Sequence, residues 1–242
     1  MVPTIPSPVR KSYPETSRGP MALPIVLLRD KNQELTHEQC LLASFAHMAN
    51  LMEQSGSESW TADWQSPWDS WKIGKFRKIV KRANPQRFAA LAQDPQSIHT
   101  AIELGDSLVE LVSFPPYLLS DPDPRVKPLQ VAGLDYSKHG AFPGEPQHAG
   151  LQHNEPGAPK TGLVLAYDSK LGATTGKMMA QAAHGAQLLK LKEPKWCFDS
   201  EPIQVQDSFD GENIEWLVEV VDAGFTEVAP NSNTVRIGRF CS

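Results

Sequence analysis

Gly162-Leu-Val-Leu-Ala-Tyr167, then a polar turn, then Thr175-Gly-Lys-Met-Met-Ala-Gln-Ala-Ala-His184 reads as a buried strand feeding a helix. The first run is short, apolar and β-prone, the pattern of a strand covered on both faces. From Gly176 to Lys190 the chain is rich in Ala, Met, Gln and Leu, all good helix formers. Thr174 or Thr175 supplies the N-cap. Lys177 then falls in the first turn, beside free backbone N–H groups and the positive end of the helix dipole. A cation there is unfavourable by up to about 1 kcal/mol unless an anion is shared. Strand, glycine turn and a lysine at a helix start suit a phosphate or a developing oxyanion.

A second block begins with Leu217-Val-Glu-Val-Val221, an apolar strand that runs into Asp222, through Ala-Gly-Phe-Thr226, and on to Pro230-Asn-Ser-Asn-Thr234. A carboxylate at the C-terminal edge of a strand presents an acid at the mouth of an α/β sheet. The Pro-Asn-Ser-Asn turn can bring Thr234 back towards Asp222, and Thr234-Val-Arg-Ile-Gly238 reads as a final strand. Ester hydrolysis needs water held near a base, and donors for the oxygen that becomes negative. Lys177, Asp222, Thr226 and Thr234 make a catalytic set that needs no metal, cofactor or covalent nucleophile. Blander readings stay open for each part: a solvated surface lysine, a plain turn after a strand, and a packed histidine at His184.

In order and internal spacing the two blocks together resemble the signature of the type II peptidyl-tRNA hydrolases. In that family a Gly-Lys opens a helix running Ala-Gln-x-x-His, and a later Asp-Ala-Gly-x-Thr-x-x-Ala-Pro-x-Ser-x-Thr carries the remaining polar groups. The resemblance implies cleavage of the ester joining a peptide to tRNA. Asp222 would orient or deprotonate water, Lys177 would stabilise negative charge or hold the terminal nucleotide, and Thr226 and Thr234 would position both. Thr175 stands where the family usually has a further lysine, and Phe225 where it usually has arginine. The interval from His184 to Asp222 leaves room for a strand around Pro202–Gln206 but hardly for a helix before the next strand, and the sequence stops at Ser242 where relatives usually continue into another helix. These losses define the alternative: a weak or inactive relative acting as an RNA-binding or regulatory module, or as a structural partner subunit.

Gly172-Ala-Thr-Thr-Gly-Lys177 also approaches a P-loop, but it is one residue short and Met178 stands where a magnesium-binding hydroxyl is needed. A net charge of −5 is awkward for a tRNA partner, so the location of the basic residues matters. They cluster between Lys72 and Arg87, a stretch without an acid, just after Trp60, Trp64, Trp68 and Trp71. Basic side chains beside aromatics grip phosphates and stack on bases. Lys72, Lys75, Lys78, Lys81 and Arg82 are therefore the expected substrate-binding residues. The competing reading has the tryptophans packing a helix onto a core, with the lysines on its wet face. Cys40, Cys197 and Cys241 form no Cys-x-x-Cys pair, so neither a disulfide framework nor a zinc site is suggested. No apolar run is long enough to span a bilayer and the start lacks a signal-peptide core. A cytoplasmic location without membrane partners is the expectation.

Residues 1–22 are proline-rich and expected to form a disordered arm. Residues 137–160 have the Gly, Pro, His and Gln content of a linker, which accounts for His139, His148 and His153 without a metal. The segments on either side, 23–136 and 161–242, echo one another. Pro24-Ile-Val-Leu-Leu-Arg-Asp30 answers Leu163-Val-Leu-Ala-Tyr-Asp168, and Ala43-Ser-Phe-Ala-His47 answers Ala180-Gln-Ala-Ala-His184. Leu108-Val-Glu-Leu-Val-Ser113 answers Leu217-Val-Glu-Val-Val-Asp222. On this alignment Cys40 replaces Lys177 and Ser113 replaces Asp222. The expected fold is α/β, with two related halves, each a small mixed β-sheet flanked by helices, the first silent and the second carrying the site. Because the family resembled is typically a small dimer, the tandem would act as a monomer with an internal pseudo-dimer, or as a homodimer.

Overall fold

Met21-Ala-Leu-Pro-Ile-Val-Leu-Leu28 has no polar side chain to turn towards water, and the chain buries it in the middle of a sheet as β1 (Met21–Leu28). The structure, a computed structural model, describes residues 19–57, 60–73, 77–131, 134–138, 161–222 and 227–241. Most of the expected arm and linker, with the three linker histidines, lies outside the described residues, as do Lys75 and Thr226. β1 itself begins within the range assigned to the arm.

Two helices, α1 (His37–Gln54) and α2 (Ala62–Ile73), carry the chain to β2 (Lys78–Ala83), which runs parallel to β1. Parallel neighbours require such a crossover. Then α3 (Pro85–Ala92), β3 (Ile98–Leu104), β4 (Ser107–Ser113) and the short β5 (Tyr117–Leu118) complete a mixed sheet. Its order is β2-β1-β4-β3, with β5 paired to the start of β1. The second half comprises β6 (Leu163–Tyr167), α4 (Thr175–Lys192), β7 (Ile203–Gln206), β8 (Ile214–Val221) and β9 (Asn233–Phe240). Its sheet has the order β7-β6-β9-β8. In both sheets the first strand lies parallel to the second and antiparallel to the last, and the third takes the edge. The fold is α/β with two mixed sheets of the same strand order.

That order corrects one expected echo. β4 matches β9, and β3 matches β8, so Leu108–Ser113 is not the counterpart of Leu217–Asp222. Any half-buried strand can show the same apolar alternation, and only the pairing separates the candidates. Ser113 sits in an inner strand opposite Ile25, with its hydroxyl on His47 Nε2 at 2.7 Å. A second shift follows from the helix caps. Counted from the N-caps Thr36 and Thr174, the residue in the place of Lys177 is Gln39, not Cys40. No helix intervenes between β7 and β8, whereas α3 fills that interval in the first half and covers its sheet with Phe88 and Leu91.

α1 and α4 lie side by side and run the same way between the sheets. His37 Nδ1 meets Thr175 Oγ1 at 2.8 Å near their starts, Ser44 Oγ donates to the Met179 carbonyl at 2.9 Å, and Lys190 pairs with Glu53 at 3.4 Å near their ends. The alanines of α4 permit this close approach, and one core joins Leu41, Phe45 and Met48 to Met179, Ala183 and Ala186. α2 buries Trp64, Trp68 and Trp71 against the same core. The tryptophans are packing residues. Among the described residues no helix is long and apolar enough to cross a membrane.

His47 supplies a test of this packing. It is fully buried, with Nδ1 on Thr100 Oγ1 and Nε2 on Ser113 Oγ, each at 2.7 Å. Burial, followed by the nearby His99, lowers its pKa from 6.5 to about 3. The unfolded chain therefore binds the extra proton first as pH falls. Stability from this residue is full above about pH 6.5 and is lost towards pH 3, at up to about 1.4 kcal/mol per pH unit. Urea denaturation across that window should show this slope, and His47→Gln should flatten it.

Candidate functional site

Lys177 is the third residue of α4, and Asp222 follows directly on edge strand β8. The fold brings them together: Lys177 Nζ lies on Asp222 Oδ2 as an ion pair, with side chains 13 % and 5 % exposed. Gln181, one turn further along α4, donates from Nε2 to the same carboxylate oxygen at 2.7 Å. The backbone on the far side of Asp222 is pinned as well. Its N–H donates to the Ser232 carbonyl and its carbonyl accepts from Asn231, both at 2.9 Å. The Pro-Asn-Ser-Asn turn does close back on Asp222, as its composition implies, with Asn231 at a φ of 67°.

Thr234 does not join the pair. It is fully buried and its hydroxyl donates to the Val220 carbonyl at 3.0 Å, tying β9 to β8. Directly after the turn, it bonds across the ladder and not to the ion pair. Thr226 lies outside the described residues. The helix start departs from the expectation of free N–H groups. Gly176 N–H donates to the Leu134 carbonyl at 3.1 Å, and Lys177 N–H to the Thr174 cap at 3.3 Å. A Cβ on Gly176 would come within 3.0 Å of Leu134, so the glycine permits this approach. Glu227 accepts from Thr174 N and Oγ1 at 2.9 and 3.0 Å. An acid there complements the helix dipole, and it fills the place a P-loop would leave for phosphate. Charge at this mouth therefore falls to the Lys177 ammonium.

The basic run is not a wet helix face. Its part from Lys78 to Ala83 folds as β2, with Lys78 and Lys81 only 7 % and 8 % exposed. Lys78 lies between the halves, and Lys81 donates to the Leu129 carbonyl at 3.0 Å. Arg82 is half-buried and donates to Gln130, and Lys72 pairs with Asp69 at 2.5 Å. Lys78 and Lys81 are thus unavailable to a phosphate backbone, because the strand that carries them is sandwiched in the fold.

Two contributors went unassigned in the sequence. Gln181 stands within the Ala-Gln-x-x-His run, one helical turn after Lys177, and that i, i+4 spacing is the signal that could have found it. Glu227 had no comparable mark. The first half preserves the geometry without the charges: Gln39, in the place of Lys177, donates from Nε2 to the Leu104 carbonyl at the end of β3, at 3.1 Å. Among the described residues no group of three or more His, Cys, Asp or Glu side chains is placed to hold a metal ion. Comparisons with protein-family models, with curated proteins and with solved structures find no match.

Removing one member of this pair strands the other in a poorly hydrated place. Lys177→Met or Asp222→Leu alone should cost about 2–4 kcal/mol, somewhat below a fully buried pair because Lys177 keeps some exposure. The double variant should recover most of that loss in urea denaturation. Additive losses would show that the two charges do not depend on each other.

Proposed function

We propose that the chain hydrolyses the ester between peptide and tRNA in peptidyl-tRNA, releasing free tRNA. The observation that carries this reading is that Asp222, more than forty residues further along the chain, meets both Lys177 and Gln181 in the first turns of α4. Asp222 takes a proton from water as the water oxygen adds to the ester carbonyl. The carbonyl oxygen, now negative, is met by the Lys177 ammonium. The bond to the ribose oxygen then breaks, that oxygen takes the proton held on Asp222, and the peptide acid gives its own proton to solvent and leaves as a carboxylate. Gln181 keeps the Asp222 carboxylate in place when Lys177 turns to substrate. Thr234 contributes by fixing β9 against β8, and Thr226 is assigned by resemblance alone. No cofactor enters this scheme.

The common strand order of the two sheets, and the amide at Gln39 where the second half has Lys177, support an internal pseudo-dimer with one silent member. A cytoplasmic site of action accompanies this reading. One observation favours the alternative of an RNA-binding or regulatory module: ammonium and carboxylate already satisfy each other.

Release of tRNA from an N-blocked aminoacyl-tRNA separates the two. Wild type should release it, and Lys177→Ala and Asp222→Ala should each lose at least about a hundredfold in kcat/KM, the usual worth of an electrostatic or general-base group. Tight binding by wild type without release would overturn the enzyme reading in favour of the module.

A further inference from the structure

Lys78 lies on β2 of the first half, yet its side chain reaches α4 of the second. Its ammonium is 3.0 Å from His184 Nδ1 and donates to Gln187 Oε1 at 2.5 Å, with the Trp71 ring centroid 4.9 Å away. Neither Lys78 nor His184 has a carboxylate partner among the described residues. With neutral acceptors alone, burial lowers the Lys78 pKa well below its ordinary value.

His184 shares a face with the proposed site. Lys177, Gln181 and His184 stand at i, i+4 and i+7 of α4, one stripe about 10 Å long. Asp222 closes one end of the stripe from the second half, and Lys78 the other end from the first. His184 is half-buried, and its Nε2 makes no hydrogen bond among the described residues.

We infer that Lys78 is a positioning residue for the proposed site: by donating to Nδ1 it fixes His184 as a neutral ring whose Nε2–H is offered, on the same face of α4 as Lys177, to an acceptor oxygen of the substrate. The inference rests on the hydrolase reading for the identity of that substrate, but not for the state of the ring. An imidazole that accepts at Nδ1 must carry its proton at Nε2 when neutral. It is then a donor and not a base. Burial first, then the charges of Lys78 and Lys177, holds its pKa well below the ordinary value. Those two ammonium groups, from β2 and from α4 itself, are the charged groups acting on the ring. Both oppose a third positive charge. The acceptor that fits is a carbonyl or phosphate oxygen, the groups flanking the scissile ester at the end of a tRNA.

The ring nitrogens of His184, assigned by comparison with His184→Gln, can be followed by long-range 1H–15N correlation from pH 8 to pH 5. Wild type should hold the neutral tautomer protonated at Nε2 throughout. In Lys78→Met, which removes the amine at similar length, the ring should titrate at a higher pH than in wild type and mix tautomers. Lys78→Gln, which keeps a donor, should restore the Nε2–H form. A wild-type ring protonated at Nδ1, or a titration unchanged in a folded Lys78→Met, overturns the inference. Should Lys78→Met not fold, Lys78→Gln and wild type still decide the tautomer. With N-blocked aminoacyl-tRNA, Lys78→Met should lower kcat/KM by about tenfold, the worth of one aligned donor, and add an acidic limb at a pH where wild type shows none. An equal loss without that limb overturns the positioning role. Failure of wild type to release tRNA would overturn the hydrolase reading while leaving the tautomer measurement to decide this one.

Discussion

Two helices running the same way, with their positive ends together, are the constraint from which the rest of the molecule follows. Side-by-side dipoles of like direction repel, and the packing of α1 against α4 must offset that cost at the end where both begin. The structure meets it with polar groups at the junction. The Thr175 hydroxyl serves the His37 ring and the Tyr136 N–H, at 2.8 and 3.0 Å. Glu38, buried in the first turn of α1, accepts from Tyr167 Oη at 2.6 Å, and Glu227 accepts from the cap of α4. Acids at helix starts are stabilising, and Glu38 also binds the first half to the second. A single core continuous through both sheets then holds the pair in place.

The same arrangement explains why the candidate site lies where it does. A helix packed tightly along its middle by alanines has its first turn held firmly, so the third residue of α4 is directed at the end of edge strand β8. Both halves obey this geometry. In the second it produces an ammonium on a carboxylate, and in the first an amide on a backbone carbonyl. The difference between the halves is thus one of side-chain chemistry on equivalent backbone, with Leu104 and the following turn standing where Asp222 stands.

The strong elements were legible because their composition has one solution. Leu163–Tyr167 and Pro24–Leu28 are too apolar to be anything but buried strands, and Thr174 is a cap by type and position. The Lys177–Asp222 meeting was legible from motif order. Three things were not. The partner of β4 was misassigned because alternation records burial and not neighbours. The Lys78 and Lys81 stretch resembled a polar face because charge in sequence carries no sign of depth, and only the sandwiching of β2 between other elements reveals it. Thr234 was expected at the mouth because a turn can return a chain to a given residue without fixing which way the next side chains point.

The seam between the halves also has a consequence for how this sequence can change. An interface between identical subunits about a two-fold axis must be self-complementary, so every substitution appears on both sides at once. Here the facing surfaces differ: Ser44 meets a backbone carbonyl, His37 meets a hydroxyl, and Lys78 meets His184 while His47 turns inward to Thr100 and Ser113. Covalent union of two unlike surfaces frees each from mirroring the other. One flank can carry charged side chains while the opposite flank carries amides and hydroxyls, a difference closed to any symmetric pair.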